Sequence, residues 1–194
     1  MKEKHKEIWD LALIYQDARD DKGHAEIVTY YATKLSNIEG LNDDVVIPSA
    51  ILHDIGWSQL SKKERFSIFD KGNDLNEILQ VRLRHQDEGV KLAKIILSKV
   101  NYDSSLVDEI LEVISQHDTR KFFISKNEAA MRDADKLWRF SKIGFWDDVR
   151  HSKITQSEYC EILKSKMEMS NFLYFDSSKK IAMDELEKRK SEVR

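Results

Sequence analysis

The chain contains few of the residues on which tight turns are usually built. It has one proline and six glycines among 194 residues. An all-β fold needs such turn residues at short, regular intervals, and this supply is too small for one. Charged residues make up 35% of the chain and hydrophobic residues 41%, which is typical of amphipathic helices around a real core rather than of a disordered chain. We therefore predict an all-α fold, a compact multi-helix bundle.

Hydrophobic periodicity and capping signals predict where the helices lie. The predicted helices are 4–18, 24–36, one starting at Asp43 or Asp44, 75–84 continued by 85–100, one capped by Ser104 or Ser105 and running to 116, 127–140, 157–169 and a polar tail from 177. Pro48 marks either a kink or the first turn of the third helix, and Gly56 is placed as its C-terminal stop. Ser125 and Glu128 have the spacing of a capping box. The segment 57–73 is predicted to be a mobile loop with a short helix.

Bulk properties indicate one domain, 1–194, and a small-molecule partner. The formal net charge of −3 gives no electrostatic reason to expect a nucleic acid polymer or a membrane as partner. Cys160 is the single cysteine, which excludes an intramolecular disulfide and suits a reducing compartment. Neither a secretory signal nor an apolar run long enough for a bilayer is visible. We therefore expect a cytoplasmic location.

Four of the six histidines are regularly spaced along the chain. These are His24, His53, His85 and His117, separated by 29, 32 and 32 residues. Each is predicted to lie at an end of a helix, and such separations can return the chain to the same end of an antiparallel bundle. The four imidazoles can therefore converge. His5 and His151 lie among charged residues and need no special explanation.

Carboxylates accompany these histidines. Asp54 directly follows His53, Asp118 follows the fourth histidine, and Asp133 and Asp135 lie on the next predicted helix. Imidazole with carboxylate is the ligand set of divalent transition metals. A single histidine at a helix end is commonly a cap or a dipole partner. The pair His53-Asp54 is different because it ends an apolar helix, where two polar side chains are costly without a partner such as a metal ion.

The run Ala50-Ile51-Leu52-His53-Asp54-Ile55-Gly56 resembles the defining stretch of the HD-domain superfamily of metal-dependent phosphohydrolases. Their pattern is His, then His-Asp, then a distant Asp. His24 is in the position of the first His, and the run Ala134-Asp135-Lys136-Leu137 resembles the context of the final Asp. The resemblance implies a metal-binding core at about 20–140 and a C-terminal helical extension at about 141–194.

By this resemblance the metal ligands are His24, His53, Asp54 and Asp135. Asp133 is the alternative to Asp135, and only one of them should face the metal because residues two apart do not share a helix face.

The two further histidines, His85 and His117, go beyond this pattern. By resemblance to two-metal members of the superfamily, Asp54 would bridge two ions and these histidines would hold the second. Alternatively, they bind substrate phosphate or act as general acids beside a single ion. We expect one or two divalent ions of Mn, Fe, Ni, Co or Zn, with Mg as an alternative. The chain lacks the adjacent His-His pair and the Gly-Tyr-Pro stretch of the branch that cleaves cyclic dinucleotides, which argues against that activity.

The activity implied is hydrolysis of a phosphate ester or anhydride of a small molecule, with a nucleotide as the default substrate. A divalent ion can lower the pKa of a bound water to about 7 and polarise a phosphoryl group. Asp54 would orient that water, and His85 or His117 would protonate the leaving oxygen. Arg120, which lies just beyond His117, is the first candidate for binding phosphate, since guanidinium groups match phosphate geometry.

Other readings stay open from the sequence. Lys136 and Lys62 are further candidates for binding substrate. An HD-type diiron oxygenase and a metal-containing ligand-sensing protein without catalysis are the alternative functions. Aromatic residues beyond residue 140 can pack on the core, shape the pocket or form a homodimer surface, and core packing is the expectation. They are Phe145, Trp146, Phe172, Tyr174 and Phe175.

Overall fold

The computed structural model describes residues 1–68, 72 and 74–192. These residues form helices and turns without a β-strand, which confirms the predicted all-α fold. The helices are α1 Glu3–Ala12, α2 His24–Glu39, α3 Asp43–Leu52, α4 Lys62–Ser67, α5 Leu75–Lys99, α6 Ser104–Ser115, α7 Lys126–Leu137, α8 Lys142–Ser152, α9 Gln156–Glu168 and α10 Asp176–Ser191. Short 3₁₀ turns follow α1, α3 and α7. Of the predicted loop 57–73, residues 69–71 and 73 lie outside the described residues, and α4 is its short helix.

The third helix, α3, ends directly before the polar pair His53-Asp54. Asn42 caps it by accepting a hydrogen bond from the backbone N–H of Asp44 at 3.0 Å. Pro48 lies inside the helix rather than in its first turn. Because Pro48 has no N–H to donate to the carbonyl of Asp44, that carbonyl instead accepts the hydroxyl of Tyr102 at 2.8 Å. The helix ends at Leu52, so the prediction that Gly56 stops it is wrong.

Gly56 has a different role, which is close packing of the turn after α3 against α5. A Cβ at Gly56 would lie 2.8 Å from the Cα of Gly89 and closer still to the backbone oxygen of His85. Only a residue without a side chain permits this approach. The contact presses the turn Ile55–Gln59 onto the middle of α5.

Helix α5 joins two segments that were predicted separately. It runs without a break from Leu75 to Lys99, and Asp74 caps it through the N–H of Asn76 at 3.1 Å. His85 therefore lies in the interior of a long helix. The expectation that each of the four histidines sits at a helix end is wrong for this one.

Several helix ends and capping contacts differ from the prediction, including α2, which continues to Glu39 rather than 36, and α7, which ends at Leu137 rather than 140. Helix α1 ends at Ala12 rather than at residue 18. Asp103, not Ser104 or Ser105, caps α6 by accepting the N–H of Ser105 at 2.9 Å. Ser125 does cap α7, but the Glu128 carboxylate accepts the N–H of Ile124 at 2.7 Å instead of completing a capping box.

Two apolar clusters form the interior. One combines α1, α3, α5 and α6, and the other combines α2, α3, α6 and α7 with the helices beyond residue 140. Phe145 and Phe175 are buried in the second cluster, and Trp146 and Phe172 pack against it, as expected, whereas Tyr174 is 44% exposed. The division into core and extension stays a prediction. Among the described helices, none combines the length and the apolar character needed to cross a bilayer.

Candidate metal centre

Three side chains from separate helices meet where α2 begins and where α3 and α7 end. His24 is the first residue of α2, His53 follows the last residue of α3, and Asp135 lies in the last turn of α7. The Nε2 atoms of His24 and His53 are 3.2 Å apart. Asp135 Oδ1 lies 3.3 Å from Nε2 of His24 and 3.6 Å from that of His53. We call these three residues the first group.

A second group consists of Asp54, His85 and His117. The Nε2 atoms of the two histidines are 3.3 Å apart. Asp54 Oδ1 lies 3.3 Å from Nε2 of His117 and 3.6 Å from Nε2 of His85. In each group the candidate ligand atoms all lie within 4.8 Å of one another.

The carboxylate of Asp54 stands between the two groups. Its Oδ1 faces the second group, while its Oδ2 lies 3.4 Å from Nε2 of His24 and 3.6 Å from Nε2 of His53. One carboxylate thus presents one oxygen to each group, which is the arrangement required of a ligand shared by two ions.

Two of the histidines are oriented by the ends of their own helices. The Nδ1 of His53 lies 2.8 Å from the carbonyl oxygen of Ala50, and the Nδ1 of His117 lies 2.8 Å from that of Ile114. Carbonyls in the last turn of a helix lack an intrahelical partner and accept such bonds. Since Nδ1 is then the protonated nitrogen, the lone pair sits on Nε2 and points into the group.

Trp57 and Arg19 close the centre from one side. The indole of Trp57 stacks on the His85 ring with centroids 3.9 Å apart, and its Nε1 donates to Asp54 Oδ1 at 3.1 Å. Arg19 donates to Asp54 Oδ2 at 2.6 Å, pairs with Asp21 at 3.1 Å and lies over the Trp57 ring at 4.8 Å. The close packing at Gly56 positions this tryptophan.

Burial and charge change the pKa values of this cluster in different directions. Burial and, after it, the neighbouring His117 together lower the pKa of His85 to about 3. Burial opposes protonation of His53 too, but the carboxylates of Asp54 and Asp135 outweigh it and raise its pKa to about 9. Although burial would raise the pKa of Asp135, hydrogen bonds from the histidines hold that pKa well below its usual range.

The donor set fits divalent transition metal ions. Buried polar groups are costly unless they are paired, yet the Nε2 atoms of both histidine pairs face each other across little more than 3 Å. An ion that accepts their lone pairs removes this conflict. Imidazole nitrogen and carboxylate oxygen together suit Mn, Fe, Co, Ni and Zn, and the two groups offer positions for two ions.

A cavity of about 380 Å³ opens next to the first group. His24, Asp54 and Asp135 line one part of it, and residues of α8 and α9 line another part. Among the residues that the structure describes, four cationic side chains line it as well. They are Arg19, Arg82, Arg139 and Lys166.

The cations selected from the sequence lie elsewhere. Arg120 does not line the cavity, because its guanidinium is paired with Glu112 and, through Nε at 3.3 Å, with Glu128. Lys62 is exposed in the first turn of α4 and is likewise absent from the cavity wall.

Lys136 is also outside the cavity. Its ammonium group lies over the rings of Phe123 and Phe172 at 5.4 and 5.6 Å. Cation–π contacts of this kind tie a lysine to its neighbours rather than offering it to a ligand. The phosphate-binding role predicted for Arg120, Lys136 and Lys62 therefore has no support from their positions.

Two of the cavity cations could have been found from helical spacing. Arg82 precedes His85 by three residues on α5, and Arg139 follows Asp135 by four residues. Residues three or four apart share a helix face. Arg82 pairs with Asp118 at 2.8 Å, and that carboxylate lies 3.8 Å from Nε2 of His85. Arg19 and Lys166 gave no comparable signal, because only tertiary packing brings them to the site.

Asp133, the alternative to Asp135, faces away from both groups. Its carboxylate accepts the backbone N–H of Tyr174 at 2.9 Å and that of Phe175 at 3.0 Å, and it is fully buried. It holds the segment before α10 to α7. The two aspartates thus take opposite sides of one helix, as their spacing predicted.

The chain is thus a helical protein in which histidines and aspartates converge beside a cavity and could hold metal ions. The family model described as the HD domain matches residues 22–139, well over half of the chain. This chain belongs to the HD-domain family, and the resemblance read from the sequence is confirmed. Members of this family are mostly metal-dependent hydrolases. Neither the curated proteins nor the solved structures gave a match.

Proposed function

We propose that this protein is a metal-dependent phosphohydrolase that cleaves a phosphate ester or anhydride of a small molecule, with nucleotides as the first substrates to test. The observation that carries the proposal is the position of Asp54. Its two oxygens face two histidine groups, beside a cavity lined by guanidinium groups. A phosphoryl group needs this combination of metal-activated water and positive charge.

Six side chains would hold the ions. His24, His53 and Asp135 would bind the first ion, His85 and His117 the second, and Asp54 both. When bound, such ions polarise a phosphoryl oxygen and lower the pKa of a bound water to about 7.

The burial of His85 and His117 favours a ligand role over a general-acid role. Both are at most 6% exposed, and the Nε2 of each is directed at Asp54. A general acid must reach the leaving oxygen of the substrate, which lies in the cavity. Neither histidine lines the cavity.

Arg19 is the side chain we propose for binding the phosphoryl oxygens. It lines the cavity and its Nη2 is in contact with Asp54 Oδ2. A guanidinium has five donors in a planar fork, so contact with a carboxylate leaves donors for a phosphate. Its packing over Trp57 fixes the plane of that fork.

The proposal is tested by phosphate release from a panel of nucleotides and phosphomonoesters. The Mn²⁺-loaded wild type is compared with Asp54→Asn and, as a matched control, with Asp133→Asn, which removes a buried carboxylate outside the centre. We expect loss of both activity and bound metal, measured by inductively coupled plasma mass spectrometry, in the first variant. The control should retain both.

Two results would count against the proposal. One is undiminished phosphate release by a folded Asp54→Asn protein. The other is no release from any compound by folded, metal-loaded wild type. In the second case, oxygen consumption by the iron-loaded protein tests the diiron oxygenase, and its absence leaves the ligand-sensing protein.

A further inference from the structure

The part of the cavity wall formed by α9 carries a lysine without an ion-pair partner among the described residues. Lys166 lies on α9, outside the residues 22–139 that the HD family model matches. It is half-buried and lines the cavity. It forms no ion pair with any side chain in the described ranges 1–68, 72 and 74–192.

Arg139, in the turn after α7, is a cation of the cavity that lies near Lys166, and the carboxylate beside it is already engaged. Its Nη1 lies 3.4 Å from Asp148, which also accepts the hydroxyl of Tyr159. Asp147, the other acidic residue of this wall, pairs with Arg150. Both carboxylates therefore already have partners other than Lys166. Burial and then the repulsion of Arg139 lower the pKa of Lys166, and Asp148 offsets part of this shift.

Apolar side chains complete the cavity wall beside these two cations. Trp138, Ile154 and Ile162 line it together with Lys166. The ring of Trp138 also touches His24 edge-on, with centroids 5.0 Å apart. A molecule in the cavity thus meets the metal centre, an apolar surface and the Lys166 ammonium group.

We propose that Lys166 binds a second anionic group of the substrate. The substrate class is then a small organic phosphate with two anionic groups, one at the metal centre and the other, a carboxylate or a further phosphate, at Lys166. A half-buried ammonium without a carboxylate partner gains a charge-assisted hydrogen bond when such a group arrives. The inference rests on the proposed function only for the identity of the first group.

The test compares ligands that differ only in the second anion. Isothermal titration calorimetry measures binding of ω-phosphonocarboxylates of increasing chain length to Mn²⁺-loaded protein, each beside the alkylphosphonate of the same length. For the best-fitting length, we expect the carboxylate to increase the affinity of wild type about tenfold, the effect of one charge-assisted hydrogen bond.

Variants of α9 assign this gain to one side chain. Lys166→Met keeps the apolar stem and should reduce the affinity ratio to about one, whereas Lys166→Arg should retain it. Lys164→Met is the matched control, because Lys164 lies on the same helix but pairs with Glu161 outside the cavity. It should bind as wild type does.

The inference is overturned if no chain length gives tighter binding in wild type, a result that requires no variant to fold. It is also overturned if Lys166→Met melts as wild type does and keeps the full ratio. Because calorimetry needs no turnover, the two proposals fail separately. If the affinity ratio between phosphonocarboxylate and alkylphosphonate depends on Lys166 but no phosphate is released from any substrate, only the hydrolase proposal is contradicted. If phosphate is released but the affinity ratio in wild type is one, only the second anion site is contradicted.

Discussion

Replacement of Gly56 by alanine adds one methyl group at the closest backbone approach described above. That methyl carbon would lie 2.8 Å from the Cα of Gly89 and nearer still to the backbone oxygen of His85. Backbone atoms cannot move aside as a flexible side chain does. Overpacking typically lowers the free energy of unfolding by about 1–3 kcal/mol. Because the added methyl group would meet backbone atoms of both His85 and Gly89, we expect a loss at the upper end of this range, about 3 kcal/mol.

The expected loss is large enough to measure by several methods. For a chain of this length, about 3 kcal/mol corresponds to a Tm lower by roughly 6–12 °C. Urea unfolding followed by circular dichroism, in the presence of EDTA, gives the free energy of unfolding without any contribution from bound metal. Gly56 has no positive φ, so alanine brings no backbone strain of its own and the loss isolates the steric effect.

Gly89→Ala is the matched control, because it adds the same group to the same interface from the other side. Its Cβ would lie 3.6 Å from its nearest neighbours, an ordinary van der Waals separation. Within α5 alanine should stabilise by about 0.5–1 kcal/mol. The reasoning is refuted if Gly56→Ala unfolds within about 0.5 kcal/mol of wild type, or if both variants lose the same free energy.

Three further predictions concern charge and metal. Asp133→Asn should lower the free energy of unfolding by about 1–3 kcal/mol yet retain metal, whereas Asp135→Asn should lose metal; equal metal contents, measured by mass spectrometry, would contradict this. Burial lowers the pKa of His5 below 6.5, so the neutral ring stabilises the fold above that pH and its contribution is lost as the pH falls. The free energy of unfolding of His5→Gln, measured in urea, should therefore change less with pH between about 7 and about 5 than that of wild type. The same change with pH in both proteins would contradict this prediction. For each bound ion whose free concentration is about a thousandfold above its Kd, chelation should lower the Tm by roughly 8–16 °C. Identical melting with and without EDTA would argue against a tightly held ion.

The sequence was most informative where local pattern and chemistry coincide. His53-Asp54 at the end of an apolar helix indicated a buried polar centre, and the opposite orientations of Asp133 and Asp135 follow from helix geometry alone. His85 was wrongly predicted to lie at a helix end, because the sequence does not show whether the segments 75–84 and 85–100 form one helix or two. The position of His85 beside the other ligands depends on the close packing of Gly56 against α5, which is visible only in the folded structure.

Cationic side chains were the least predictable part of the site. Arg120 was chosen because it is near His117 in sequence, but Glu112 and Glu128 compete for its guanidinium in the folded chain. Long basic side chains reach far from their backbone, so sequence distance says little about where their charge lies. Lys166 illustrates the opposite case, being 31 residues beyond Asp135 and yet on the wall of the same cavity.

Helix α7 has a role on two opposite faces, since Asp135 faces the histidines and Asp133 binds the backbone before α10. This limits which insertions and deletions the fold can accept. One additional residue inside α7 would rotate everything after it by about 100°, turning Asp135 away from His24 and His53. The backbone of Tyr174 depends on the other face of the same helix. Length changes should therefore accumulate in the connections on either side of α7, while the helix itself keeps its number of residues through evolution.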